Sequence, residues 1–277
     1  MPDAKGILTI AFGKKYALQA KYLALSCILH TPHTLRAVIT DCPDILSSLY
    51  DYVIPYNESF GYPFFLKTNL YRYTPFEQTL YIDSDSLVFN NIDSFWKTLD
   101  SGDFIYAGKK QYSGVWYLDI KLIIKQLSID FFPVFNSGMF LFNNSETAKN
   151  IFQLASSFML EHSELKIDFF RKNMLPDEPF FAMALAKMKI YPYKDHNRFS
   201  RTLINSKNIR INVINGFAFF IKEDIPVFPL IVHFCGRFGN IFYCLQKIKL
   251  YFLFNSFITI FISFLLNLFK RTHKTGQ

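Results

Sequence analysis

Apolar residues fall along this chain in short runs separated by stretches of helical period. Residues 6–12 form a compact β-type run, and residues 14–29 carry their apolar positions at helical spacing. Residues 35–40 predict a second strand ending at Asp41. A helix-like stretch then leads to a third strand at 52–54, and residues 67–73 predict another helix. Residues 79–82 are an apolar strand that runs directly into Asp83-Ser84-Asp85. Strands alternating with helices predict crossover connections and a mainly parallel, Rossmann-like α/β sheet. Ligands in such sheets sit beyond the carboxyl ends of the strands, which is where the acidic cluster falls.

The second half is less regular. Residues 135–142 predict one strand interrupted by Asn136-Ser137-Gly138, residues 146–159 and 177–188 predict helices, and residues 230–233 predict a short strand ending at His233. The end of the chain differs again. Residues 250–269 are twenty residues without a charge, flanked by Lys247 and Lys249 on one side and by Lys270, Arg271 and Lys274 on the other. Asn255, Thr259, Ser263 and Asn267 recur every fourth position and share one helical face. This predicts a hydrophobic, amphipathic helix that associates with a membrane surface, its basic flanks meeting anionic lipid. The alternative is a helix packed on the main domain with its polar stripe in water. The division expected is a domain over residues 1–240 and a membrane-associating helix with a basic tail over 241–277.

Composition narrows the class. Half the residues are hydrophobic (51%) and 33 are Phe, which excludes a disordered chain and supplies a large core. The formal net charge of +8 invites an anionic partner: nucleic acid, a membrane surface or a phosphorylated small molecule. The cations form no dense block and the acidic cluster would repel a phosphate backbone, so nucleic acid is not expected. Cys27, Cys42, Cys235 and Cys244 form no Cys-x-x-Cys pair, which argues against a zinc ribbon and a disulfide framework. No signal-peptide pattern is found at the amino end, and the expected location is cytoplasmic, attached peripherally or monotopically to a membrane.

Two carboxylates at i and i+2 where a strand ends can share one hard divalent cation. Three chemistries compete for Asp83 and Asp85. A calcium loop of the EF-hand kind needs Gly at its sixth position and finds Val88. A haloacid-dehalogenase-like phosphatase places Asp-x-Asp after its first strand, yet eighty residues precede it here, and Gly102-Asp103 is followed by Ala107 where a second Asp belongs. The third is a nucleotide-sugar glycosyltransferase.

Residues 67–85, Lys-Thr-Asn-Leu-Tyr-Arg-Tyr-Thr-Pro-Phe-Glu-Gln-Thr-Leu-Tyr-Ile-Asp-Ser-Asp, resemble the core signature of glycosyltransferase family eight, the glycogenin-like and galactosyltransferase group. Asn136-Ser137-Gly138, Asp177-Glu178 and His233-Phe-Cys-Gly236 are similar to three further family motifs in the same order. The resemblance spans residues 7–240. It implies a GT-A fold and a metal, Mn²⁺ or Mg²⁺, held by Asp83, Asp85 and His233. It implies donor contacts from Lys67, Ser84, Asn136, Ser137, Gly138 and Gly236, with Asp177 and Glu178 beside the anomeric carbon. Ala11, Phe12 and Tyr16 take the place of the uridine-binding opening, although Gly13 and Lys14 stand where the family often has Asn or Asp. Arg237 stands in for a family lysine on the diphosphate. The implied reaction transfers a hexose from a nucleotide diphosphate sugar, a UDP-sugar, to a glycan, lipid-linked or protein acceptor, with retention. The alternative of another class is a membrane-bound sugar-nucleotide binding protein without turnover.

Overall fold

The computed structural model describes residues 3–56, 61–165, 167 and 174–272, without side chains at 237, 238 and 257–272. The chain opens with β1 (Asp3–Ala11), α1 (Gly13–His30), β2 (Leu35–Thr40), α2 (Pro43–Leu46) and β3 (Tyr52–Pro55). Next come α3 (Pro63–Lys67), a 3₁₀ turn at Leu70–Arg72, β4 (Phe76–Ile82), β5 (Ser86–Val88) and α4 (Asp93–Trp96). β6 (Phe104–Ile105), β7 (Gly108–Gln111), β8 (Val115–Trp116), β9 (Leu118–Asp119) and α5 (Ile120–Leu127) follow. Then come β10 (Phe132–Phe135), β11 (Met139–Asn143), α6 (Glu146–Leu160) and α7 (Glu178–Lys187). The chain continues through β12 (Ser200–Thr202), β13 (Ser206–Asn212), β14 (Phe217–Lys222), β15 (Ile225–Val227), β16 (Ile231–His233) and α8 (Gly236–Thr272).

Six strands form the central sheet in the order β3-β2-β1-β4-β11-β6. The first four are parallel, while β11 runs antiparallel to β4 and β6 antiparallel to β11. Gly6 to Ala11 of β1 includes an unbroken buried run from Gly6 onward, as expected of a strand covered on both faces. A cluster of aromatic rings forms where β4, β11 and β6 meet α6 and α7. Phe140 lies 4.9 Å from Tyr81 and 5.1 Å from Phe104, while Phe152 of α6 meets Phe181 of α7 edge to face at 5.6 Å. Pro179 to Ala186 of α7 are all buried, so this helix is sunk in the core and its amino end is held rigidly.

Two expectations need correction. The helix predicted over 67–73 ends at Lys67 instead. Pro63 starts it one turn earlier, and the Thr68 and Asn69 side chains both donate to the Phe65 carbonyl, drawing the chain out of α geometry. The single interrupted strand over 135–142 is two strands in two sheets: β10 pairs with β7, and β11 with β4 and β6. Asn136-Ser137-Gly138 is the turn that moves the chain between them.

A smaller sheet, β12-β16-β5, joins distant segments by setting His233 opposite Ser86. α8 begins at Gly236, so the boundary expected at 240 falls inside one helix. Tyr243, Gln246 and Leu250 face the domain and are buried; Gln246 Oε1 accepts from the Val213 amide at 2.9 Å. Ile241, Leu245, Ile248 and Phe252 lie on the opposite face and are exposed. Asn255 of the predicted polar stripe is exposed as well, whereas Thr259, Ser263 and Asn267 lie outside the described side chains. Among the described residues, no helix is long and apolar enough to cross a membrane.

Candidate active site

The site begins where β4 leaves the core. Asp83 N donates to Gly138 O at 2.9 Å and Ser86 N to Asp83 O at 3.0 Å, closing a turn over the Asp-Ser-Asp segment. Tyr81 and Asp83 alternate onto the same face, and the Tyr81 hydroxyl donates to Asp83 Oδ1 at 2.6 Å. Lys67 Nζ approaches that same oxygen at 3.0 Å. With Oδ1 occupied, Oδ2 is left toward His233, whose Nε2 stands 3.7 Å from it and 3.0 Å from Asp85 Oδ1. One ligand atom from each of Asp83, Asp85 and His233 falls within 4.8 Å of the others. Burial pushes the Asp85 carboxyl up, but the His233 ring outweighs this and holds it below its ordinary value. For His233 burial pushes down, and Asp85 and then Asp83 raise it above its ordinary value. Two carboxylates and an imidazole nitrogen form a mixed oxygen and nitrogen set that could hold a divalent metal ion.

Behind His233 lies a polar relay. Its Nδ1 is 2.7 Å from Asn136 Oδ1, an oxygen that can only accept, so Nδ1 carries the proton and Nε2 turns to the carboxylates. Asn136 Nδ2 donates to Glu178 Oε1 at 2.9 Å, and Ser137 N to the same oxygen at 3.3 Å. The turn needs Gly138 here for space: a Cβ on it would lie 2.5 Å from His233 Nδ1 and 2.8 Å from Asn136 Oδ1. Burial, followed by the Asp177 charge, pushes the Glu178 carboxyl up to about 7.

Lys67 joins the two acidic motifs. Its side chain is 4% exposed, its ammonium sits 3.0 Å from Asp83 and 3.1 Å from Asp177, and it donates to both Ser137 O and Oγ at 3.3 Å. Burial opposes its charge, yet Asp177 and Asp83 outweigh burial and raise its pKa. The ammonium is thus already occupied by protein groups. Asp177 is the residue before α7, and its side chain caps no helix amide; it is aimed at Lys67 instead.

These groups line one cavity of about 550 Å³. Phe12, Tyr16, Lys67, Asp83, Ser84, Asp85, Asn136, Ser137, Asp177, Glu178, His233 and Gly236 all contribute to its wall. Phe12 rests against Tyr56 with ring centroids 4.2 Å apart. Ala11 is fully buried at the end of β1 and Gly138 lies behind the wall, so neither side offers a surface to the cavity. The Arg237 side chain lies outside the described residues. A second cavity of about 240 Å³ shares Asn136, Glu178, Ile204 and Cys235 with the first and adds Trp116, Thr202 and Lys222.

Sequence reasoning passed over Tyr81, Tyr117 and Cys235. Tyr81 could have been found from its i, i+2 relation to Asp83 on a strand. Tyr117 donates from its hydroxyl to Glu178 Oε2 at 3.1 Å, and nothing in the local sequence announces that contact.

The sequence model of Glycosyl transferase family 8 matches residues 39–238. No curated protein matches the chain. Among solved structures, galactosyltransferase LgtC in complex with donor and acceptor sugar analogs is 17% identical, with a TM-score of 0.54 over 83% of this chain and 87% of that one. The bifunctional WbbM glycosyltransferase is 11% identical, with a TM-score of 0.55 over 86% of this chain and 46% of its own. Mouse xyloside xylosyltransferase 1 is 15% identical, with a TM-score of 0.48 over 73% of this chain and 88% of that one. At these identities the likeness to LgtC and WbbM is one of fold, the GT-A fold.

Proposed function

Because this chain belongs to glycosyl transferase family 8 and is a glycosyltransferase of GT-A fold, we propose that it moves a hexose from a UDP-sugar to an acceptor hydroxyl with retention. One observation carries this reading: Asp83, Asp85 and His233 converge on the same cavity wall that presents Asp177 and Glu178. Asp83 Oδ2, Asp85 Oδ1 and His233 Nε2 would hold Mn²⁺ or Mg²⁺, which when bound supplies charge to offset the diphosphate leaving group. Tyr81 and Lys67 keep Asp83 turned for that task. Phe12 and Tyr16 offer aromatic faces to the base, while Ser84, Asn136 and Ser137 frame the donor sugar, with Ala11 and Gly138 backing the wall rather than touching the donor. Gly236 and Arg237 open α8 beside the leaving phosphates. Glu178 and Asp177 lie beside the anomeric carbon, where their negative charge offsets the positive charge that develops there. The acceptor, a glycan, lipid-linked or protein hydroxyl, enters through the second cavity, which shares Glu178 with the first.

The outer face of α8 supports attachment to a membrane surface. Ile241, Leu245, Ile248 and Phe252 form an exposed apolar stripe opposite the buried face, with Lys247 and Lys249 to either side of it.

The test is a panel of nucleotide sugars incubated with the protein and Mn²⁺, read by mass spectrometry for released nucleotide. Release should stop with EDTA, return with Mn²⁺ and be lost in Asp85→Ala with its circular dichroism unchanged. Full release by Asp85→Ala would remove the carboxylate pair from the mechanism. Binding of nucleotide sugar without release under every condition would identify a binding protein instead.

A further inference from the structure

We propose that Tyr117 is a positioning residue for Glu178, its phenol fixing the one carboxyl oxygen that the Asn136–Ser137 turn leaves free. The inference rests on the reading of Glu178 as the carboxylate beside the reacting carbon, but the contact itself can be tested without any substrate.

The geometry begins with a small ribbon. β8 and β9 pair Val115 with Asp119 and Trp116 with Leu118, with Tyr117 as the turn residue at the tip. Its φ of +61° is left-handed backbone, which a bulky aromatic residue seldom adopts and which Gly or Asn would adopt more cheaply. Burial does not explain the choice, since Tyr117 is 41% exposed. The ribbon is anchored at its base, where Ile120 N donates to Gly114 O at 3.0 Å and the Asp119 side chain accepts from Leu122 N to cap α5. The tip therefore holds its conformation, and what that conformation delivers is the hydroxyl on Glu178 Oε2. Trp116, one residue earlier, lines the second cavity while Tyr117 lines the first. Glu178 lines both. The ribbon thus gives one aromatic residue to each of the two cavities that Glu178 joins, the two rings 5.2 Å apart.

Among the described residues, the groups hydrogen-bonded to Glu178 are the Tyr117 hydroxyl, the Asn136 amide and the Ser137 N–H, each a donor. They favour the ionised carboxylate and set its plane. Other charged or titratable groups around it are Asp177 beside it in sequence, Lys67 at the end of α3, Cys235 after β16, and Lys222 and Glu223 across the second cavity. Burial and Asp177 raise Glu178 while Lys67 and the donors lower it, so removing one donor leaves the raising influences less opposed. Burial raises the Tyr117 phenol above its ordinary value, which keeps its proton in place as a donor.

Carboxyl ¹³C NMR of glutamate-labelled protein, titrated in the absence of metal and nucleotide, tests this directly; the resonance missing in Glu178→Gln is that of Glu178. In Tyr117→Phe the Glu178 midpoint should rise by about one pH unit, the size expected for losing one hydrogen bond to a charged group. Tyr117→Asn, which suits the left-handed tip, should show the same rise while melting no lower than the wild type. If nucleotide-sugar turnover is present, the acid limb of its pH profile should move upward in both variants with little change in donor KM. An unchanged Glu178 midpoint in Tyr117→Phe would overturn the proposal, whatever the enzyme turns over. A raised midpoint in a protein that releases no nucleotide from any sugar donor would support the contact and overturn the transferase reading.

Discussion

Replacing Lys67 with Met tests how the two acidic motifs are held together. Met keeps most of the apolar stem and removes the ammonium, which lies 5.0 Å from the centroid of the Tyr81 ring. Two carboxylates then lose their cation. Asp83 is 24% exposed and keeps the Tyr81 hydroxyl, whereas Asp177 is 5% exposed and loses the Lys67 ammonium. Removing one member of a buried ion pair costs about 3–5 kcal/mol because the remaining charge is left without compensation. Most of that cost therefore falls on Asp177. Against a typical total of about 5–15 kcal/mol the loss is severe, and at 2–4 °C per kcal/mol it lowers the melting temperature by roughly 10 °C. Urea denaturation followed by circular dichroism in EDTA measures it free of any bound ion. Adding Asp177→Asn to Lys67→Met should recover more than half of the loss, because the amide removes the stranded charge at nearly constant shape. A Lys67→Met protein within about 0.5 kcal/mol of wild type, the level of an ordinary surface substitution, would refute the reasoning. So would the absence of any recovery in the double variant.

Two further outcomes follow from the same structure. The Glu178 carboxyl is raised to about 7 in the folded protein, so its contribution to stability is fully present below its unfolded value and is lost as pH rises through about 7; urea midpoints from pH 4 to 8 should fall for the wild type relative to Glu178→Gln, and parallel curves would exclude the raised value. Ile248→Glu combined with Phe252→Glu alters positions 47% and 62% exposed, so it should leave the melting temperature unchanged while abolishing co-sedimentation with phosphatidylglycerol vesicles, and continued sedimentation would remove the outer stripe of α8 from membrane contact.

Much of the first half was legible because its local signals agree. β2 spans the predicted residues 35–40, where an apolar run stops at Asp41 with Pro43 just beyond. α6 starts where Ser145 accepts from Ala148 N, a cap the sequence advertises. The region from 200 to 233 was not legible beyond its last strand. Its strands are three to seven residues long; its turns place Asn205, Glu223 and Asp224 at positive φ, and Asn208 takes the same conformation at a break in register within β13. Glu223-Asp224 joins β14 to β15 with both residues left-handed, a role in which Asn-Gly or Asp-Gly is the recognisable signal. The four motifs marked in the sequence do line one cavity or its backing. Sequence spacing could not show that Lys67 is already committed to Asp83 and Asp177, nor that one asparagine links His233 to Glu178. Those are contacts between residues far apart in the chain, fixed only when strands from different sheets meet.

The pairing of β16 with β5 also bears on how the protein is made. While the chain is still being synthesised, β1, β2, β4 and β11 can assemble as soon as residue 143 has left the ribosome. Ser86–Val88 cannot: its antiparallel neighbour is Ile231–His233, almost the last segment of the domain to emerge. Until then Leu87, Val88 and Phe89, all fully buried in the finished fold, remain an apolar strand with an open edge, a site for chaperone capture or for aggregation. The same delay keeps the imidazole away from Asp83 and Asp85. A nascent or prematurely terminated chain thus has the sheet without His233 beside the two carboxylates, and the arrival of one three-residue strand both closes the exposed edge and completes the candidate site.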